Sequence, residues 1–280
     1  MEHVLADPPG VLALPATSPA RCAVLVLAGS SGRIETDRVR LLARHGAAAL
    51  SFRWFGAPDQ PPGICEVALE TFEPALDRLA SLSGEVAVLG MSKGAEAALL
   101  LAGKDPRITA VAALSPTSVV WANVGPGSDG RERPQRSSWT ERGNPLPFVP
   151  YDDEWQSDST TGPPAFRRRY EQSLRSFPAR AEEAAIAVER IGGRVLLTAG
   201  GDDQVWPADW FADRIAARRA AHGRTTEVLT DSAAGHRISF PGEAELPAAS
   251  RPIAHGGSRQ ADAAFGSRVW PALLDLLRLG

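Results

Sequence analysis

The sequence predicts an α/β fold with a mostly parallel central sheet flanked by helices. Three observations predict it. Continuous apolar runs of strand length recur at residues 23–28 (AVLVLA), 47–52 (AAALSF), 86–90 (VAVLG), 108–114 (ITAVAAL) and 194–199 (RVLLTA), as strands buried on both faces do. Helix-periodic segments separate them, and that alternation is the mark of right-handed βαβ units. The chain has 280 residues, 44% hydrophobic and 22% charged, a length that suits one large domain or two small ones, and a single domain over 1–280 is expected.

The elements follow in order. The first apolar run ends in Gly29. Residues 35–45 (ETDRVRLLARH) read as a helix, with acids early, bases late and Gly46 as the stop. After the strand at 47–52, residues 66–80 (EVALETFEPALDRLA) read as an amphipathic helix despite Pro74. The strand at 86–90 leads into a helix at 93–103, and another strand covers 108–114. Residues 115–178 then break the rhythm with prolines, glycines, charges and aromatics. A structureless loop of that length is uncommon in a compact domain. Its Trp121, Trp139, Phe148, Tyr151 and Trp155 argue for an ordered insertion over one end of the sheet, a lid, rather than a disordered linker. The strand at 194–199 precedes a helix at about 207–221, with Pro207 at its start and Gly223 just past its end. A short strand at 225–230 and a last helix near 261–279 complete the chain, without internal repeats or low-complexity tracts.

Composition excludes several function classes. A net charge of -3 offers no basic field for nucleic acid or anionic membrane. Two cysteines, Cys22 and Cys65, are too few for a disulfide framework and suit a reducing compartment. The start MEHVLADPPG lacks a signal-peptide pattern, and no apolar run approaches the roughly 20 residues of a membrane helix. The expectation is a soluble cytoplasmic protein. Nothing in the pattern speaks to oligomeric state.

The chemistry centres on Gly90-Met91-Ser92-Lys93-Gly94, a G-x-S-x-G run at a strand-to-helix junction. That is the setting of a nucleophile elbow in an α/β-hydrolase fold. A serine there sits on a sharp turn, so its neighbours two positions away must be small. The following helix aims its N-terminal amides at the same spot. The plainer reading is a serine N-cap between two packing glycines. A serine needs a base. Among five histidines, His3 lies near the terminus, and His45 and His222 each precede a glycine at a helix end. His236, in Ala234-Gly235-His236 after the last predicted strand, is the candidate base, with His255 the runner-up. The orienting acid should precede it. Gly200-Gly201-Asp202-Asp203 follows a strand, and Asp203 is preferred over Asp202, the plainer reading being two solvated caps. The oxyanion should bind the backbone N–H of Lys93 and one from the turn Gly29-Ser30-Ser31-Gly32, for which Ser31 is chosen with Ser30 close behind. That turn could also be a plain glycine turn. The Lys93 side chain reads as a solvated first-turn lysine, with contact to a substrate phosphate as the alternative. No metal or cofactor is called for.

Several stretches carry a resemblance: GMSKGAEAALLLA around Ser92, SSWTERGNPLPFVP at 137–150, AAIAVERIGGRVLLTAGGDDQVWP at 184–207 and AAGH at 233–236. They resemble the C-terminal, dienelactone hydrolase-like α/β-hydrolase domain of the acyl-CoA thioesterase and bile acid-CoA:amino acid N-acyltransferase family, over about residues 10–280. The N-terminal β-sandwich domain of long family members has no counterpart in this sequence. The resemblance implies Ser92 as nucleophile, Asp203 as acid and His236 as base. Thioesterases of the family use serine and its N-acyltransferases typically cysteine, so Ser92 implies acyl transfer to water. The expected substrate is a small-molecule acyl thioester, linked to coenzyme A or a carrier protein, with the insertion's aromatics lining the acyl pocket. The rivals are a carboxylesterase, dienelactone hydrolase-like enzyme or peptidase, an acyltransferase or cyclase, and a non-catalytic binding protein on the same scaffold.

Overall fold

The structure, a computed structural model, describes residues 1–16, 19–157, 162–244 and 253–280. The apolar runs form the strands expected of them: β3 (Cys22–Leu27), β4 (Ala47–Phe52), β6 (Val86–Met91), β7 (Ile108–Leu114) and β10 (Arg194–Gly200). A short edge strand, β11 (Glu227–Asp231), pairs parallel to β10. Helices α1 (Thr36–Arg44), α3 (Lys93–Ala102), α6 (Ala208–Ala221) and α7 (Arg259–Leu276) fall where the periodicity puts them.

Two regions differ from expectation. The chain begins with an antiparallel hairpin, β1 (Glu2–Ala6) and β2 (Pro9–Ala13), which extends the sheet by pairing β2 with β4. Every second residue of β1 is exposed, which hides the strand from a search for apolar runs. The single helix expected over 66–80 is instead a two-residue strand β5 (Val67–Ala68), a 3-10 turn (Leu69–Phe72) and a shorter helix α2 (Glu73–Ala80). Pro74 explains the break: without an N–H it sits in the first turn of α2 and cannot lie inside a helix that begins at residue 66.

The sheet order is β1-β2-β4-β3-β6-β7-β10-β11, parallel from β4 to β11. Alternation along β3 divides the core. Leu25 and Leu27 pack in one layer with Phe72, Leu99 and Trp121, while Val24 and Val26 pack in the other with Val39, Leu42, Phe265 and Leu273. The segment between β7 and β10 is ordered in its described parts. It forms strands β8 (Trp139–Glu141) and β9 (Asn144–Pro145) and helices α4 (Arg167–Ser176) and α5 (Pro178–Glu183). β8 joins β5 in a second small sheet. Among the described residues no helix is long and apolar enough to cross a membrane.

Candidate active site

Ser92 joins β6 to α3 with φ 57° and ψ −121°, in a region that non-glycine residues rarely adopt. Such a conformation costs on the order of 1–3 kcal/mol and persists only when its surroundings fix it. They do. The Ser92 N–H donates to the Leu114 carbonyl at 2.9 Å. A Cβ on Gly90 would collide with the Gly94 carbonyl, and one on Gly94 with the Ala28 and Leu27 carbonyls. Gly90 therefore lets the first turn of α3 fold back against β6, and Gly94 lets α3 lie against the end of β3. Lys93 and Gly94 lie in the first helical turn, where N–H groups have no intrahelical acceptor.

The turn at 29–32 closes with a Gly32 N–H to Gly29 carbonyl bond of 3.3 Å and lies against the serine. A Cβ on Gly29 would stand 3.0 Å from Ser92 Cβ and 3.5 Å from its Oγ. Ser30 and Ser31 are exposed on this turn.

Asp203 and His236 are brought together. Asp203 Oδ2 lies 2.7 Å from His236 Nδ1, and both side chains are buried. The other carboxylate oxygen accepts the Val205 and Trp206 N–H groups at 2.8 and 3.2 Å. The Trp206 ring meets the imidazole edge-on at 5.7 Å. Asp202 faces elsewhere: its carboxylate takes the Gly257 N–H at 2.7 Å and the Gln204 amide at 2.8 Å. His255 lies beside His236, ring centroids 6.1 Å apart, and its carbonyl accepts the His236 N–H at 2.8 Å. Burial first, then the nearby Arg237 and His236, push the His255 imidazole down to about 4. His45 and His222 cap α1 and α6, as their helix-end positions suggest, while His3 lies in β1.

Sequence reasoning missed Ser115. It follows β7 with φ 47°, its hydroxyl donates to the His236 carbonyl at 2.8 Å, and its carbonyl accepts the Trp206 indole N–H at 3.2 Å. Leu114 holds the Ser92 amide and Ser115 holds His236, so consecutive residues tie the two loops. The Ser92 and His236 side chains are not themselves hydrogen-bonded, and catalytic hydrogen bonds are often long before substrate binds. Arg38 of α1 secures the loop beyond His236, pairing with Glu243 at 2.5 Å.

The expected solvated Lys93 is corrected. Its side chain is buried and its Nζ lies 2.6 Å from Glu96 Oε2, one turn along the same helix face. It is available to neither solvent nor a phosphate. Trp121 and Trp139 are likewise fully buried in the core, whereas Phe148, Tyr151 and Trp155 are half-buried. Among the described residues no group of three or more His, Cys, Asp or Glu could hold a metal ion.

Strand order and elbow together define the α/β-hydrolase fold. Solved structures agree on the fold. A dienelactone hydrolase-like promiscuous phosphotriesterase from metagenomic libraries matches with TM-score 0.53 at 17% identity, over 96% of this chain and 91% of its own. An acylaminoacyl peptidase from Pyrococcus horikoshii matches with TM-score 0.51 at 13% identity, over 81% and 35%. The chain belongs to the BAAT / acyl-CoA thioester hydrolase C-terminal family, whose profile matches residues 67–278. Among curated relatives, acyl-coenzyme A amino acid N-acyltransferase 1 of Mus musculus is 26% identical over 96% of this chain and 62% of its own length. Acyl-coenzyme A thioesterase 1 of Homo sapiens is 27% identical over 94% and 61%. Acyl-coenzyme A thioesterase 2, mitochondrial, of Mus musculus is 27% identical over 78% and 45%. The chain thus spans about half to three-fifths of these relatives.

Proposed function

We propose that this chain is a serine hydrolase that cleaves acyl thioesters of the coenzyme A type through a Ser92-Asp203-His236 triad. The observation that carries the reading is the buried 2.7 Å contact between Asp203 Oδ2 and His236 Nδ1, on a loop tied to the Ser92 elbow through Leu114 and Ser115. In the proposed cycle His236 takes the Ser92 proton as the hydroxyl attacks the thioester carbonyl. Asp203 fixes the imidazole tautomer and stabilises the imidazolium. The amides of Lys93 and Ser31 bind the oxyanion, a single such donor being worth about 3 kcal/mol. Collapse breaks the carbon–sulfur bond, and His236 returns its proton to the departing thiol. Water, deprotonated by His236, then attacks the Ser92 ester; its C–O bond breaks to give the free acid, and His236 returns the proton to Ser92 Oγ. The insertion at 115–178 serves as a cover over this end of the sheet. Its contacts with the acid loop support that role: the Phe166 N–H donates to the Gln204 carbonyl at 2.9 Å, and Arg167 donates to the Asp203 carbonyl at 3.3 Å. The free, buried Cys22 and Cys65 suit a cytoplasmic setting.

A panel of acyl-CoA thioesters and matched aryl esters, read by thiol or phenol release, tests the reading. The expected result is higher kcat/KM on thioesters, abolished in Ser92→Ala. Preference for aryl esters would move the chain to the carboxylesterases. One observation favours a second reading, acyl transfer to an amine: the N-acyltransferase relative aligns over 96% of this chain. Amide formation that outpaces hydrolysis when an amino acid such as glycine is supplied would establish it.

A further inference from the structure

The buried pair beneath the elbow has an arrangement that simple packing does not require. Lys93 Nζ and Glu96 Oε2 are 2.6 Å apart with side chains 2% and 0% exposed. Glu96 Oε1 accepts two further donors, both from the insertion: the Trp121 backbone N–H at 3.1 Å and the Trp139 indole N–H at 2.8 Å. One carboxylate therefore binds the residue after Ser92 and two points on the segment between β7 and β10. Each anchor is itself fixed. The Trp139 ring stacks on Trp54 at 5.3 Å and lies 5.8 Å from Lys93 Nζ. The Trp121 indole N–H donates to Thr117 Oγ1 at 2.9 Å. A buried ion pair is a poor source of net stability, because desolvation offsets the Coulomb attraction, and well-packed apolar residues often serve as well. What this pair adds is directionality at the first turn of α3.

We propose that Glu96 is a positioning residue that makes the oxyanion-binding amide of Lys93 depend on docking of the insertion at Trp121 and Trp139. This rests on the serine-hydrolase reading above. Glu96 touches no reacting atom. It draws the Lys93 side chain inward and so holds the Lys93 peptide, whose N–H is the donor one residue past the nucleophile. The insertion supplies two of the three donors that hold the carboxylate in place. A cover that is undocked leaves the amide unfixed, so closure over the sheet and completion of the oxyanion site become one event.

The test compares two variants with wild type. Glu96→Gln leaves Lys93 in place and keeps an acceptor for both tryptophan N–H groups. Lys93→Met/Glu96→Leu removes it. Neither variant deletes the Lys93 amide. The readouts are phosphonylation of Ser92 by a fluorophosphonate probe, kcat and KM for thiol release from decanoyl-CoA, and near-UV circular dichroism as a check of folding. The Leu variant is expected to lose about ten- to a hundredfold in kcat and labelling rate with KM changed less than about threefold, as for a misplaced oxyanion donor. The Gln variant recovers most of that loss. If the Leu variant does not fold, Trp139→Phe removes one donor and keeps the ring; it is expected to slow labelling about fivefold. A folded Leu variant, or Trp139→Phe, that labels and turns over at the wild-type rate overturns the role of Glu96 alone. Wild-type protein that takes no label at Ser92 overturns the serine reading, and this proposal with it.

Discussion

Asp203 and His236 meet at 2.7 Å inside the protein, whereas the adjacent Asp202 spends its carboxylate on Gly257 and Gln204. Two neighbouring aspartates thus divide the work, one orienting an imidazole and the other fastening the loop that carries His255. Asp203→Asn should therefore lower kcat by about three to four orders of magnitude, since an amide favours the wrong imidazole tautomer. Asp202→Asn should stay within about tenfold, having lost one loop hydrogen bond. Steady-state thiol release from an acyl-CoA measures both, and the reverse ranking would transfer the acid role to Asp202.

Close packing of α3 on β3 makes Gly94 intolerant of a methyl group. Gly94→Ala would drive its Cβ into the Leu27 and Ala28 carbonyls, backbone at the end of the central strand β3, which cannot yield as a flexible side chain can. Urea unfolding should show a loss of about 2 kcal/mol or more. Gly84→Ala, with open space around its Cβ, serves as the comparison and should change stability by less than about 0.5 kcal/mol. Equal stability of the two variants would contradict the tight elbow.

The acid limb of stability should carry the signature of His255. Its folded-state value near 4 lies below the ordinary 6.5, because burial and the neighbouring Arg237 and His236 disfavour the charged ring. Between these values the unfolded chain binds a proton that the folded protein excludes. Stability therefore falls as pH drops from about 6.5 toward 4, and His255 adds nothing further below that. His255→Gln should flatten the unfolding free energy over this window relative to wild type. An unaltered slope would place His255 in ordinary solvent.

Ser92→Cys should raise the ratio of amide to free acid when a small amine is supplied. In the proposed mechanism the variant's intermediate is a thioester, relatively more receptive to amines than the serine ester. The family also contains N-acyltransferases, one of them aligned over nearly the whole chain. Product ratios at matched amine concentration decide it. An unchanged ratio in an active variant would show that the pocket, and not the nucleophile atom, selects the acceptor.

Much of this was legible in the sequence because the signals were local. Strands buried on both faces read as unbroken apolar runs, so β3, β4, β6, β7 and β10 stand out. The elbow is a five-residue pattern whose glycines are demanded by contacts within and just beside it. Asp203 and His236 follow strands in the chain order expected of an acid and a base, which made them legible as candidates without geometry. The N-terminal hairpin was hidden because β1 lies at the sheet edge and exposes alternate residues. Lys93 was misread for a different reason. A charged residue in a first turn ordinarily reaches solvent, and its burial depends on Trp121 and Trp139, 28 and 46 positions away, closing over it. The three-residue spacing to Glu96 in an otherwise apolar helix was the one local sign. Ser115 left no trace at all, since a lone serine after a strand carries no pattern.

Above all, Ser92 is proposed to carry the acyl group during turnover. Rapid acid quench of wild-type protein turning over an acyl-CoA, followed by peptide mass spectrometry, shows where that group resides. The acyl mass is expected on the peptide that contains Ser92, with a thiol-release rate lower by about three orders of magnitude or more in Ser92→Ala. Acyl mass on another residue, or a Ser92→Ala protein that releases thiol at the wild-type rate, would contradict it.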